Sequence, residues 1–496
     1  MKKNFIIILC FMSILSVSFA QTGYFNNIYN YYNNHIAGIS IVKEDSTYVT
    51  VSFFSDSNNY SRINFSRFDS EGNLLFKKDY GNGLRNYFPG HPGSLQKTSD
   101  GGFIISGTIG DSIGSTALLL KVNQNFDSIF MKEFVDTSIY YYMEFQQGVE
   151  TMDKGFILGG DIVIASHTQA ILLIKTDSLG NQIFRKIYTL SGFDYARSII
   201  QTYDKGYLLG CYSWNYYSAS YSGDPWVLKL DSLGNLKWSN KYGGPNQDGP
   251  AVVALANDSN YIVATAYAYS TIPGNSSDLK IEILKLNKTD GSTIWDKQYD
   301  TIRTFNYPNM VKVLGNDNIL VVGSTFFGDG VNWYTPSWVL KLKPNGDSIY
   351  YRMFYKFNDS HTIDNTANDF CIDDDYSIII CGDVQQDTSY QCLWLVKMDS
   401  MGCLQPGCDP TGIEEIQYIK TEVISLYPNP TNDNLTIETN INTEQKLEIV
   451  NLIGQTVYTS YINNRANINT SAFAKGVYIL KLSSDKETVI RKFVKQ

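Results

Sequence analysis

Histidine is scarce in this chain, and so is positive charge. Four histidines occur in 496 residues, His35, His91, His167 and His361, each in a different stretch. They build no H-E-x-x-H helix, and the cysteines build no paired C-x-x-C knuckles, so no metal site is expected. G-x-S-x-G, P-loop and dinucleotide fingerprints are absent too, and no cofactor is expected. Asp373-Asp-Asp375 lacks the rest of a calcium loop and reads as a solvated turn. The formal charge of −9 argues against a nucleic acid partner, which needs a clustered basic surface. Long apolar runs are missing with one exception, Phe5 to Val17. It follows Lys2 and Lys3, precedes Ser18-Phe19-Ala20, and reads as a signal peptide over residues 1–20. Loss of that leader would take the charge to −11. No other segment is long and apolar enough to cross a membrane.

Repetition is what the chain has in plenty. An apolar strand holding Lys or Arg, a polar turn, and a strand with an aromatic residue recur together. The phrase starts at Arg67, Lys121, Lys175, Lys229, Lys285, Lys341 and Lys397, at steps of 54, 54, 54, 56, 56 and 56 residues. A fixed period made only of strands and turns indicates stacked blades or a solenoid. Each unit divides into strands A to D. Strands B and C are nearly continuous apolar runs, as in Ala117 to Val122, so both their faces should be buried. Strand D alternates, as in Ile183 to Tyr188, and should lie half-exposed at the rim. The C–D turns read Asp177-Ser-Leu-Gly-Asn181 or close variants. There the Asp carboxylate can accept backbone N–H groups, and Gly supplies a left-handed residue.

The seventh unit lacks a strand D. Tyr24 to Tyr29 supplies it, because this segment matches Leu75 to Tyr80 and Ile183 to Tyr188 position for position. The D aromatics are then Phe25, Phe76, Phe130, Phe184, Trp238, Trp295 and Tyr350. The expected fold is all-β, a seven-bladed β-propeller over 21–408 closed by strand 24–29, which hides the sheet edges of an open array. A linker over 409–421 and a small β-sandwich over 422–496 follow. Strands are expected there at 423–427, 434–438, 446–451, 456–460, 476–482 and 488–494. Five of the cysteines lie between Cys371 and Cys408. Export would permit disulfides, with Cys381–Cys392 and Cys403–Cys408 as the candidates.

In the tail, four blocks carry a resemblance. They are Leu426-Tyr-Pro-Asn-Pro430, Glu448-Ile-Val-Asn-Leu-Ile-Gly-Gln455, Ala474-Lys-Gly-Val-Tyr-Ile-Leu480 and the basic Arg491-Lys-Phe-Val-Lys495. In order and spacing they resemble the type A C-terminal sorting domain of type IX secretion substrates. The resemblance implies that Tyr427, Pro428, Asn429, Pro430, Gly454, Gly476, Tyr478 and Lys495 belong to a sorting motif read by that secretion machinery. It implies a protein that passes the periplasm and is secreted or attached to the outer surface. The repeats resemble secreted bacterial propellers more loosely, through Asp-Ser-Leu-Gly-Asn. Leu286 to Trp295 also resembles the tryptophan-docking phrase of quinoprotein-like propellers, which implies a structural role for Trp238 and Trp295.

No catalytic constellation stands out. The B–C and D–A connections share one face and are long and aromatic, whereas the A–B and C–D turns opposite are tight. Trp214, Tyr216, Tyr217, Tyr221, Tyr267, Tyr269, Trp333 and Tyr334 are the candidate ligand-binding residues, because flat rings bury large area at low entropy cost. The expected function is a non-catalytic binding or adhesion module for a glycan or surface protein. The alternative is an extracellular polysaccharide hydrolase or lyase using carboxylates such as Asp224, Asp248 and Asp329. A third reading has the rings simply packing their own loops.

Overall fold

The computed structural model describes residues 23–32, 34–135, 142–165, 168–215, 223–269, 279–299, 305–328, 333–357, 362–386, 390–404, 425–438, 445–451, 454–483 and 488–496. The leader and the linker therefore lie outside the described residues. Strands alone build the rest, in two compact units, one within 1–411 and one within 412–496.

The first unit is a seven-bladed propeller. Six antiparallel blades follow in chain order over 36–80, 86–134, 143–188, 193–241, 252–299 and 305–354. Blade seven takes strands Thr362–Ile372, Ile378–Gln386 and Cys392–Met398 from one end of the repeats, and Phe25–Tyr29 from the other. One register holds throughout. Phe76, Phe130, Phe184, Trp238, Trp295 and Tyr350 lie opposite Arg67, Lys121, Lys175, Lys229, Lys285 and Lys341. Phe25 lies opposite Lys397 in the same way, so the first strand completes the last blade.

The cores sit between blades. Strands B and C alternate, and each face meets a different neighbour. Leu118, Leu120 and Val122 pack with Val49, Val51 and Phe65 of blade one, while Ala117 and Leu119 pack with Phe145 and Leu158 of blade three. Ile36, Ile41 and Tyr48 of blade one meet Ile379, Leu393 and Leu395 of blade seven, which closes the ring. Burying each such side chain is worth about 1.5–3 kcal/mol, a gain available only when two sheets meet.

The repeated basic residue has a repeated task. Lys121, Lys175, Lys229, Lys285 and Lys397 reach back to the A–B turn of their own blade. Their Nζ atoms lie 2.7, 3.0, 2.9, 2.6 and 2.9 Å from Asp100, Asp153, Asp204, Asp258 and Asp373. The C–D turns form as their chemistry requires. Asp177 Oδ1 accepts from the N–H groups of Leu179 and Asn181 at 2.9 and 2.8 Å. Gly291 sits in such a turn at φ +72°, and a Cβ there would lie 2.7 Å from the Trp238 ring of the preceding blade. Trp238 Nε1 also donates to Lys288 O, so this tryptophan locks one blade to the next.

One disulfide candidate is corrected. The hairpin register places Cys381 opposite Leu395 and Cys392 opposite Val384, so the two thiols do not face each other, and both are free. Cys403 is disulfide-bonded, and Cys408 lies outside the described residues.

The second unit is two small sheets. One orders Ser425–Tyr427, Asn434–Glu438 and Arg465–Asn469; the other orders Thr456–Ile462, Gln445–Asn451, Gly476–Ser483 and Thr488–Lys495. Leu435, Ile437, Leu447, Ile449, Ile468, Leu480, Leu482 and Phe493 form the core. Asn429 ties the Pro-Asn-Pro turn to the last strand, accepting from Val494 N at 2.9 Å and donating to Lys492 O at 3.3 Å. Tyr478 stacks on Phe493 with centroids 5.5 Å apart.

Candidate functional site

The innermost strands are irregular at one level. Register slips between Gly38 and Ser40, Phe145 and Gln147, Ala196 and Ser198, Pro308 and Met310, and Ala367 and Asp369. The extra residues are Ile39, Gln146, Arg197, Asn309 and Asn368. Blade two breaks outright between Pro89 and Leu95, through Gly90-His91-Pro92-Gly93-Ser94. A bulge re-aims one side chain, and here the bulges turn residues toward the propeller axis.

Three of them meet there. Arg197 Nη1 donates to His91 Nδ1 at 2.7 Å, and Arg197 Nη2 donates to Asn309 Oδ1 at 3.1 Å. These residues come from blades four, two and six, which are not neighbours and can touch only across the axis. His91 and Asn309 are held by backbone. His91 N donates to Gln146 O at 2.8 Å, and Asn309 Nδ2 donates to Ala367 O at 2.9 Å. Burial, then the charge of Arg197, pushes the His91 imidazole well below its ordinary range. His91 is thus neutral, with Nδ1 accepting and Nε2 carrying the proton. On the tight-turn side lies a cavity of about 240 Å³, lined mainly by aliphatic residues such as Val149, Ile199, Val253 and Val311.

Carboxyl groups crowd the half of the ring nearer the long connections. Asp161 accepts from Gln146 Nε2 at 2.9 Å and from Ala196 N of the next blade at 2.6 Å. Burial, then the charge of Glu144, pushes Asp161 well up, and burial raises Glu144 as well. Asp383 accepts from Gln391 Nε2 at 2.6 Å and Asn368 Nδ2 at 3.0 Å. Burial, then the charge of Asp364, pushes it up to about 7. In blade five burial lifts Asp248 to about 6 and Glu282 to about 7. Asp224 pairs instead with Lys241 at 2.5 Å.

The aromatic candidates are dispersed. Trp214 is half-buried against Phe193, centroids 5.8 Å apart. Tyr267 is half-buried beside Gly244, and Tyr269 lies under Lys280 Nζ at 4.5 Å. Trp333–Tyr334 pair with Phe327 and Gly328, but their side chains lie outside the description, as do Tyr216, Tyr217, Tyr221 and Asp329. Among the described residues, Tyr142, Tyr307, Tyr355 and Tyr390 are aromatics exposed by more than a third on this face, Tyr142 and Tyr307 at 39% and 38%. Sequence reasoning misses them along with His91, Arg197, Asn309, Glu144, Asp161 and Asp383. One signal was readable: Gly90-His-Pro-Gly93 interrupts a strand that five of the other six repeats continue.

Residues 425–496 match the secretion system C-terminal sorting domain. The protein is a substrate of type IX secretion, exported and then secreted or attached to the outer surface. Among the described residues no helix is long and apolar enough to cross a membrane. No curated protein matches the sequence. Solved structures that resemble the fold include an ulvan lyase, with TM-score 0.46, 9% identity, and coverage of 75% of this chain and 96% of the other. An α-L-arabinofuranosidase from Fusarium graminearum scores 0.42 at 14% identity, covering 61% and 91%. A Bacteroides caccae protein of unknown function scores 0.37 at 10% identity, covering 65% and 94%.

Proposed function

We propose that the exported propeller acts on extracellular polysaccharide, as a hydrolase or lyase, at the axial mouth on the face of the long connections. The observation behind this reading is the set of buried carboxyls held above their ordinary range beside the axis, above all Asp161 with Glu144. Glu144 is the half-buried member of the pair, and a carboxyl that holds its proton more tightly than usual can donate it to a leaving oxygen while a second carboxyl serves as base. The neighbouring neutral His91 has a proton on Nε2 and no charge of its own to repel a sugar acid. A second reading, non-catalytic glycan binding, draws on Tyr142 and Tyr307, exposed rings of the kind that stack on sugars.

The test is a panel of extracellular polysaccharides incubated with the full-length protein, scored for chain shortening and for retention. Shortening that Glu144→Gln lowers by about a hundredfold, at an unchanged melting temperature, supports the enzyme. Retention without shortening gives the second reading. No shortening and no retention on any polymer overturns both.

A further inference from the structure

Arg197 has no counter-ion among the described residues. No carboxylate there pairs with it, and its two side-chain partners are the neutral acceptors His91 Nδ1 and Asn309 Oδ1. The cation is enclosed by the ring yet half-buried rather than sealed, so solvent reaches it along the axis. Its position is built, since a bulge aims it and bonds from blades two and six hold it. Two of its five N–H donors are engaged, which leaves three for a bound group. Leaving a guanidinium enclosed without an opposite charge is costly.

We infer that Arg197 is the anion-reading centre of the axial site, and that the ligand carries a carboxylate or sulfate group on a sugar. This deepens the polysaccharide reading and rests on it for the sugar. A planar fork of donors matches a carboxylate or sulfate edge in two-point contact, as a lysine would not. The acids nearby do not compete for the cation. Asp161 spends its oxygens on Gln146 and Ala196 N, and Asp383 spends its own on Asn368 and Gln391. His91 stays neutral beside the guanidinium and offers Nε2–H as a further donor. The approach is from the long-connection face. Tyr195 and Tyr307 precede Arg197 and Asn309 on strands that start at that face, and Tyr307 is exposed there. The cavity on the other side is mainly aliphatic, and the Lys312 that lines it already pairs with Asp369 at 2.8 Å.

The experiment compares polygalacturonate, dextran sulfate and neutral dextran for retention by the full-length protein, together with titration by sodium glucuronate and sodium sulfate at millimolar concentration. The account expects an acidic polymer to be retained and dextran ignored. Arg197→Gln should weaken retention by about tenfold or more, the effect of losing a charged hydrogen-bond partner, and Arg197→Lys should recover part of it. Preference between polygalacturonate and dextran sulfate tells which anion is read. Equal retention of dextran by wild type and Arg197→Gln overturns the anion inference and leaves the polysaccharide reading standing. Saturable binding of glucuronate or sulfate that Arg197→Gln abolishes, with no polymer retained, supports the anion centre and sinks the polysaccharide reading. Should Arg197→Gln fail to fold, Arg197→Lys and the wild-type titrations decide, and no saturable binding of any anion by the wild type overturns the inference.

Discussion

Asp383 lies at 4% exposure in strand B of blade seven, with its carboxyl pushed up to about 7 by burial and by Asp364. In the unfolded chain the same group ionises near its ordinary value of about 3.9. Between those two values the folded state binds more protons than the unfolded state. Stability therefore falls as pH rises from about 4 to about 7, then levels off. Asp383→Asn keeps one acceptor oxygen, for Asn368 or Gln391, and cannot ionise. Its melting temperature should vary less over that window than the wild type's, and identical slopes would show that Asp383 is not held protonated. Asp100 works the other way. Burial would raise it, but Lys121, Thr98 and Gly102 N–H outweigh that and hold it at about 2. A lowered folded value contributes stability above the unfolded value and loses it as pH falls through about 2. Lys121→Met should therefore reduce the loss of stability between pH 4 and pH 2, read as a flatter acid limb of the melting curve. Gly291→Ala tests the blade contact. It meets both the positive φ and the Trp238 ring, and should cost about 1–3 kcal/mol in denaturant unfolding.

At the scale of elements, the closing strand is the decisive one. Phe25–Tyr29 pairs with Cys392–Met398, and Asn26 accepts from Trp394 Nε1 at 2.6 Å and, through its carbonyl, from Lys356 Nζ at 2.6 Å. Deleting 23–29 strips the rim strand from blade seven and orphans a buried indole. Because every core lies between blades, the loss should lower the melting temperature of the whole propeller in one transition. A separate early transition for blade seven would contradict that coupling. Strand order and closure are legible in the sequence, because the basic residue of strand C and the aromatic of strand D recur in one register. The strand Arg465–Asn469 is not, since Arg-Ala-Asn-Ile-Asn carries little β-branched or aromatic signal. The Cys381–Cys392 pairing fails for a geometric reason, because facing thiols depend on hairpin register, which cysteine spacing does not reveal. The axial site is illegible for a related reason. His91, Arg197 and Asn309 lie about a hundred residues apart or more, and only ring closure and the bulges bring them together.

For the whole molecule, the sorting domain determines where the propeller goes, and in the function we propose the axis is where it acts. Removing residues 425–496 should leave the propeller folded but retained in the periplasm, checked by fractionation and melting. Normal arrival outside the cell would contradict the role of the tail. The central claim, that the site is the axial mouth, is tested most directly by amide hydrogen exchange of the full-length protein with and without the polysaccharide it retains best. The account predicts protection at the axial ends of the inner strands, around Gly90–Ser94, Met143–Gln147, Phe193–Ser198 and Phe305–Met310. Protection confined to the tight-turn face, around Tyr203, Trp238 and Lys288, would contradict it.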